Sequence, residues 1–279
     1  DSSSSRGLGD VYKRQRSATA ELAEFASSFD LADIDDFTLA KVRIHLFDTI
    51  GACIAGASQQ VTIASEKTMA ELASEGNIPV PGQKGRYDLL TAAFLAGTAG
   101  HGLELDDGYR PAGAHPGVAI VPAILAAGYR YKISGRAFVS AMVVGYEVMG
   151  RVAAAMHPLQ RKRGFHNTPI SGVIGAAAAV SSIKKHQAVT IRNAFGLAAS
   201  MASGINTHRS GGDAKRMHPG LAAHNGIMAS NLAENGFSGL ETALEDRYGF
   251  FATFAGTDVD AKEWDKIDIL SQGGRVNSD

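Results

Sequence analysis

The stretch "PISGVIGAAAAVSSIKK" (residues 169–185) places Gly172, Gly175, Ala176 and Ala179 at helical spacing, three or four residues apart. A helix with such a face lets a neighbouring backbone approach to near contact, which predicts helices packed on helices. The same periodicity fills the chain from Ala18 onward, in "ATAELAEFASSF", "DDFTLAKVRIHLFDTIGACIAGA" and "QQVTIASEKTMAELAS". It returns in "HPGVAIVPAILAAGYRY", "SGRAFVSAMVVGYEVMGRVAAAM", "HQAVTIRNAFGLAASMASG" and "KRMHPGLAAHNGIMASNLAENG". Asp35-Asp36 suits a helix N-terminus, and Ser134 suits an N-cap. The apolar second half of 35–57 predicts a buried helix end. Residues 88–107 read as one helix ending at Gly108, 76–88 as turn chemistry, and "HPLQRKRGFHNT" (157–168) as a basic loop. Only "KIDIL" (266–270) hints at period-two alternation. Aromatic residues are 7% of the chain, too few for the usual β-sandwich core. The expectation is an all-α array of about eight to ten helices.

Net charge is −1 with no basic stripe, which argues against nucleic acid as a partner. No uninterrupted apolar run approaches the roughly 18 residues a membrane span needs, so no membrane partner is expected. The single cysteine, Cys53, excludes an internal disulfide and reads as a small core residue. Residues 1–15, "DSSSSRGLGDVYKRQ", lack a starting Met, periodicity and an apolar signal core, and read as a non-native leader. With no secretory signal, a cytoplasmic location is expected.

Chemistry concentrates in "GHGLELDDGYRPAGAHPG" (100–117), with three carboxylates, two histidines and an arginine. On the predicted helix, His101 and Glu104 would share a face as half of a di-metal site. No Glu or Asp stands three residues before any of the nine histidines, and HExxH and paired cysteines are missing. No metal is therefore expected. An acid–base site fits better. His115, His166 and His218 each stand near cations: Arg110; Arg161, Lys162 and Arg163; Lys215 and Arg216. Imidazoles move protons near neutral pH, and cations clamp an anionic substrate. Plainer readings stand beside this one. The acids could be a solvated helix cap, a histidine before proline a backbone-bonded loop residue, and "RKR" a solvated run. His45 reads as core or surface; His157, His186, His208 and His224 carry no signal of their own.

Five stretches in order resemble the MmgE/PrpD family, whose members include 2-methylcitrate dehydratase, cis-aconitate decarboxylase and iminodisuccinate epimerase. They are "LFDTIGACIAGA", "AGTAGHGLELDDGYRPAGAHPG", "GFHNTPISGVIGAAAAVSSI", "AASMASGINT" and "KRMHPGLAAHNGIMASNLAENGFSGLE", across about residues 18–256. The resemblance implies a large helical domain in a homodimer, followed by a smaller α/β lid. It implies an active site between the two that uses no metal or organic cofactor. The expected division is a leader over 1–15, the helical domain over 16–262, and the start of a truncated lid over 263–279. The chain would then be a fragment of a longer protein.

By position, His115 matches the family's H-P histidine, His166 that of its G-F-H stretch, and Lys215 the lysine before the histidine-bearing helix. Glu104 stands where the family often has the first Asp of D-F-D-D. Gly108 stands where Thr is common, and the loop to His115 is one residue longer. The implied activity is a hydro-lyase resembling 2-methylcitrate dehydratase, removing a proton next to a carboxylate of a small polycarboxylate. His115 is the expected general acid or base, with His166 as its partner or a carboxylate ligand. Lys215 would neutralise developing charge. Glu104 or Asp107 would orient an imidazole, and Arg110 and His218 would bind substrate. A decarboxylase or epimerase could use the same residues. An inactive helical dimerisation scaffold is the alternative from another class.

Overall fold

A computed structural model describes residues 17–256. Among them are eleven α-helices and one two-stranded antiparallel hairpin. The helices are α1 (Ala18–Ser28), α2 (Asp36–Gly56), α3 (Gln60–Leu72), α4 (Leu89–Gly100), α5 (Gly117–Tyr131) and α6 (Gly135–Met156). They continue with α7 (Leu159–Lys162), α8 (Asn167–Ile183), α9 (Ala188–Met201), α10 (Ala214–Glu234) and α11 (Phe250–Ala255). Local signals set several of these starts. Asp35 caps α2 by accepting from the Thr38 amide at 2.7 Å, and Ser134 caps α6 by accepting from the Ala137 amide at 3.2 Å.

The fold is organised around α8, which packs on α5, α6, α9 and α10. Every α8 residue except Ser182 is buried. Its small face does what the spacing predicts. A Cβ built on Gly226 of α10 would lie 2.4 Å from the Ala176 Cβ, and one on Gly175 would lie 2.8 Å from the Gly145 carbonyl oxygen of α6. On the other side of α10, a Cβ on Gly97 of α4 would lie 2.7 Å from the Gly220 Cα. Backbones in such contact leave no room for a methyl group, so Gly226→Ala should destabilise by about 1–3 kcal/mol.

Four expectations are corrected. The helix read over 88–107 ends at Gly100, because His101 turns inward to Asp106 and the Gly102 amide closes on the Ala99 carbonyl at 3.0 Å. His101 and Glu104 therefore do not share a helix face, which removes the geometric premise of the half di-metal site. The turn region 76–88 contains the hairpin, β1 (Glu75–Pro79) with β2 (Arg86–Tyr87). The basic loop at 157–168 contains α7. The second half of α2 is buried on one face only: Thr49, Ala52, Cys53 and Gly56 are buried, whereas Phe47 is 73% and Ile54 55% exposed, in line with exposed Ile44 and Phe37.

Cys53 is fully buried, as expected, and burial pushes its thiol up to about 12. By length and composition α6 is apolar enough to cross a membrane, but it lies in the core and carries a buried Glu147–Arg151 ion pair at 2.7 Å. The "KIDIL" segment, residues 1–15 and residues 263–279 lie outside the described residues.

Candidate acid–base site

The acidic loop after α4 is held by the N-terminus of α8. Asn167 donates its side-chain amide to the Ala112 carbonyl, and Thr168 Oγ1 accepts from the His115 amide at 3.0 Å. A bridge between Tyr109 and Ala114 closes the loop on itself, around a 3-10 turn at Arg110–Ala112 and a left-handed Gly113. The result fixes His115 immediately before α5.

Asp106 is the carboxylate that meets the imidazoles. Its Oδ2 lies 2.9 Å from His101 Nδ1 and 3.3 Å from His115 Nδ1, and its side chain is fully buried. His115 Nδ1 also lies 2.7 Å from the Asp107 main-chain carbonyl. A carbonyl oxygen only accepts, so Nδ1 of His115 carries the proton and Nε2 carries the lone pair. The ring is 31% exposed.

Further imidazoles adjoin these two. His101 lies 5.3 Å from His115 and 6.1 Å from His166, ring centre to ring centre. His166 forms the N-cap of α8, and its amide donates to the Gly204 carbonyl at 3.1 Å. Its Nδ1 faces Nδ1 of His218, on α10, at 3.0 Å. One of those nitrogens must donate and the other accept, so the pair shares a proton between neutral rings. Burial, then the neighbouring imidazoles and Lys215, hold His166 down to about 2; burial and neighbouring cationic groups hold His218 down to about 4. His208 lies 5.5 Å from His166. Three buried atoms in this cluster have no hydrogen-bond partner: His101 Nε2, Asp106 Oδ1 and His208 Nδ1.

The cations come from the first turn of α10. Lys215 bonds the Glu104 carboxylate, and Arg216 lies 2.8 Å from the same oxygen. Arg216 also donates to the His101 carbonyl at 3.2 Å, which ties the cation pair to the imidazole cluster. Lys215, chiefly by its hydrogen bond, holds the Glu104 carboxyl down to about 2.

Asp107 faces the other way. Its carboxylate accepts from the Gly117 amide at 2.8 Å and the Tyr146 hydroxyl at 2.9 Å, and lies 3.2 Å from His45 Nδ1. It borders a cavity of about 260 Å³ between α2 and α6, lined in part by Lys41, Val42, Met142 and Arg151.

Of the expected site residues, the structure thus gathers His115, His166, His218, Lys215 and Glu104. Asp107 contributes its main-chain carbonyl, while its side chain belongs to the cavity. Arg110 is exposed, and no hydrogen bond or ion pair among the described residues joins it to the cluster. Sequence reasoning missed Asp106 and the acid–base placement of His101. It also missed His208, for which the sequence offers no local signal. The near end of the cluster could have been read from His101 standing five residues before Asp106. Among the described residues no group of three or more His, Cys, Asp or Glu side chains is arranged to hold a metal ion.

The MmgE/PrpD N-terminal domain matches residues 20–262. The chain is 31% identical over 243 residues to the cis-aconitate decarboxylase-like protein oryM of Aspergillus oryzae, covering 84% of this chain and 50% of that protein. It is 29% identical over 246 residues to human cis-aconitate decarboxylase, covering 86% and 51%. It is 27% identical over 241 residues to cis-aconitate decarboxylase of Aspergillus terreus, covering 84% and 49%. The chain spans about half the length of the curated relatives it matches.

Proposed function

The chain belongs to the MmgE/PrpD family, and from that premise we propose that it forms the helical half of a lyase that transfers protons beside a carboxylate of a small polycarboxylate. One observation carries the reading. His115 has its Nδ1 proton committed to the Asp107 carbonyl and Asp106, which leaves the lone pair for proton transfer on Nε2 of a ring that is 31% exposed. Relatives that are cis-aconitate decarboxylases favour loss of CO₂ over the loss of water expected from the sequence.

In the decarboxylation, the bond between a carbon and its carboxylate breaks, CO₂ leaves, and the electron pair stays on carbon. Lys215 and Arg216 lower the cost of that negative charge. His115 takes up a proton from solvent on Nε2 and, as the imidazolium, delivers it to the carbon. In a dehydration the same nitrogen would first remove a proton. That proton, carried on the His115 imidazolium, would then be returned to the leaving hydroxyl. A homodimer in the cytoplasm is part of this proposal, and light scattering on the purified protein tests the dimer.

The test is turnover of cis-aconitate and 2-methylcitrate by the intact protein in deuterated water, followed by NMR. The expected result is CO₂ release from cis-aconitate with one deuteron on carbon, and loss of about 10²-fold or more in His115→Ala. Water loss from 2-methylcitrate without CO₂ release would favour the dehydratase branch. Unchanged turnover in the variant would overturn the assignment.

A further inference from the structure

Three loop segments meet around His166 at the start of α8. The segment after α7 pairs with the one that enters the 3-10 turn at Asn206–Ser210. Phe165 bridges Ile205, the Asn206 amide donates to the Gly164 carbonyl at 2.8 Å, and the Asn206 side chain donates to the Phe165 carbonyl at 2.7 Å. The turn at Arg110–Ala112 abuts the start of α7 from the other side. A Cβ built on Gly113 would lie 2.7 Å from His157 Cε1, and Asn167 ties Ala112 to α8.

The segments 110–113, 157–165 and 204–210 carry Arg110, Arg161, Lys162, Arg163 and Arg209, and no Asp or Glu. All five are exposed. Arg163 turns to α11, where it donates to the Thr253 carbonyl at 3.3 Å. The other four form no ion pair with an acid among the described residues. Lys215 and Arg216, by contrast, share the Glu104 carboxylate, which offsets one of their two charges. Long-range attraction of an anion therefore falls to the outer cations. In a chain of net charge −1, four unmatched cations around one imidazole cluster give that face a field opposite in sign to the whole.

We propose that Arg110, Arg161, Lys162 and Arg209 form an outer cationic rim that draws a di- or tricarboxylate toward the imidazole cluster and favours it over a monocarboxylate. The inference rests on the acid–base reading above and adds residues that recognise the substrate by its charge.

The test titrates two unreactive probes, propane-1,2,3-tricarboxylate and propionate, into the histidine-labelled intact protein and its Arg161→Gln/Lys162→Gln/Arg209→Gln variant at pH 7.5. The readout is the NMR shift of the His115 and His166 ring signals at ionic strengths of about 10 mM and about 300 mM. At the lower salt the variant should bind the tricarboxylate about tenfold more weakly and propionate about twofold more weakly, because each lost charge acts in proportion to the charge of the ligand. At the higher salt both losses should shrink to about twofold or less. Equal losses for the two probes, or losses that salt leaves unchanged, overturn the rim. Tricarboxylate binding that is the same in both proteins overturns it as well and leaves the acid–base site standing. Ring signals that neither probe moves in either protein overturn the carboxylate site itself, and this inference with it. The three replaced residues are exposed, and the melting temperature of the variant checks that the fold is intact.

Discussion

Asp106 and Asp107 are neighbours in the chain and serve opposite sides of the loop. Asp106 points into the imidazole cluster, where one of its oxygens meets His101 and His115 and the other has no partner. Asp107 points toward the α2–α6 cavity, where a backbone amide, a tyrosine hydroxyl and His45 surround its carboxylate. A carboxylate with donors on both oxygens holds a structure in place. One that orients two imidazoles and keeps an oxygen unpaired can respond to a proton moving nearby. The two acids divide the loop into a working side and a supporting side.

Exchanging either acid for its amide separates the two sides. Asp106→Asn should lower kcat of the intact protein by about 10³-fold, because the amide no longer fixes the Nδ1–H tautomer of His101 and removes the negative charge beside the His115 Nδ1–H. Melting should change little by comparison. Asp107→Asn should show the converse, destabilising by about 2–3 kcal/mol in denaturant unfolding, since buried donors lose a charged acceptor. Equal losses of activity and stability in the two variants would erase the distinction.

The division also gives the two sides opposite pH dependence. His166 and His218 are held well below the 6.5 of an unfolded histidine. The unfolded chain then binds more protons, so stability is full above pH 6.5 and falls as pH drops toward 4. The slope reaches about 1.4 kcal/mol per pH unit for each group. His218→Gln should flatten that acid limb. His45 is raised above 6.5, first through its hydrogen bond to Asp107. Its contribution is present below pH 6.5 and lost as pH rises through its folded value. His45→Gln should therefore flatten the alkaline limb and leave the acid one. Thermal melts across pH 4–8 separate the two. Tyr146→Phe gives the smallest effect, a loss of about 1 kcal/mol, because Asp107 keeps its other partners.

What the sequence made legible follows from how local each signal is. The small face of α8 and the caps Asp35 and Ser134 are periodic or near-neighbour patterns, and the structure uses them as read. The imidazole cluster was readable in part, because His115, His166 and Lys215 stand in segments that resemble the family. Which of two adjacent acids serves an imidazole was not readable. It depends on where α4 stops and how the loop turns, and three glycines near that end carry no directional side chain. Asp107 does orient His115, but through its main chain, a role that residue type does not encode. The apolar second half of α2 states what that face would bury against and says nothing of what covers it.

The tautomers of His101 and His115 test the account most directly. Long-range ¹H–¹⁵N NMR on the histidine-labelled chain at pH 7 reports which ring nitrogen carries the proton. Both rings should be protonated at Nδ1 and bare at Nε2, as Asp106 and the Asp107 carbonyl require. A proton on Nε2 of a neutral His115 would contradict the orientation on which the proposed proton transfer rests.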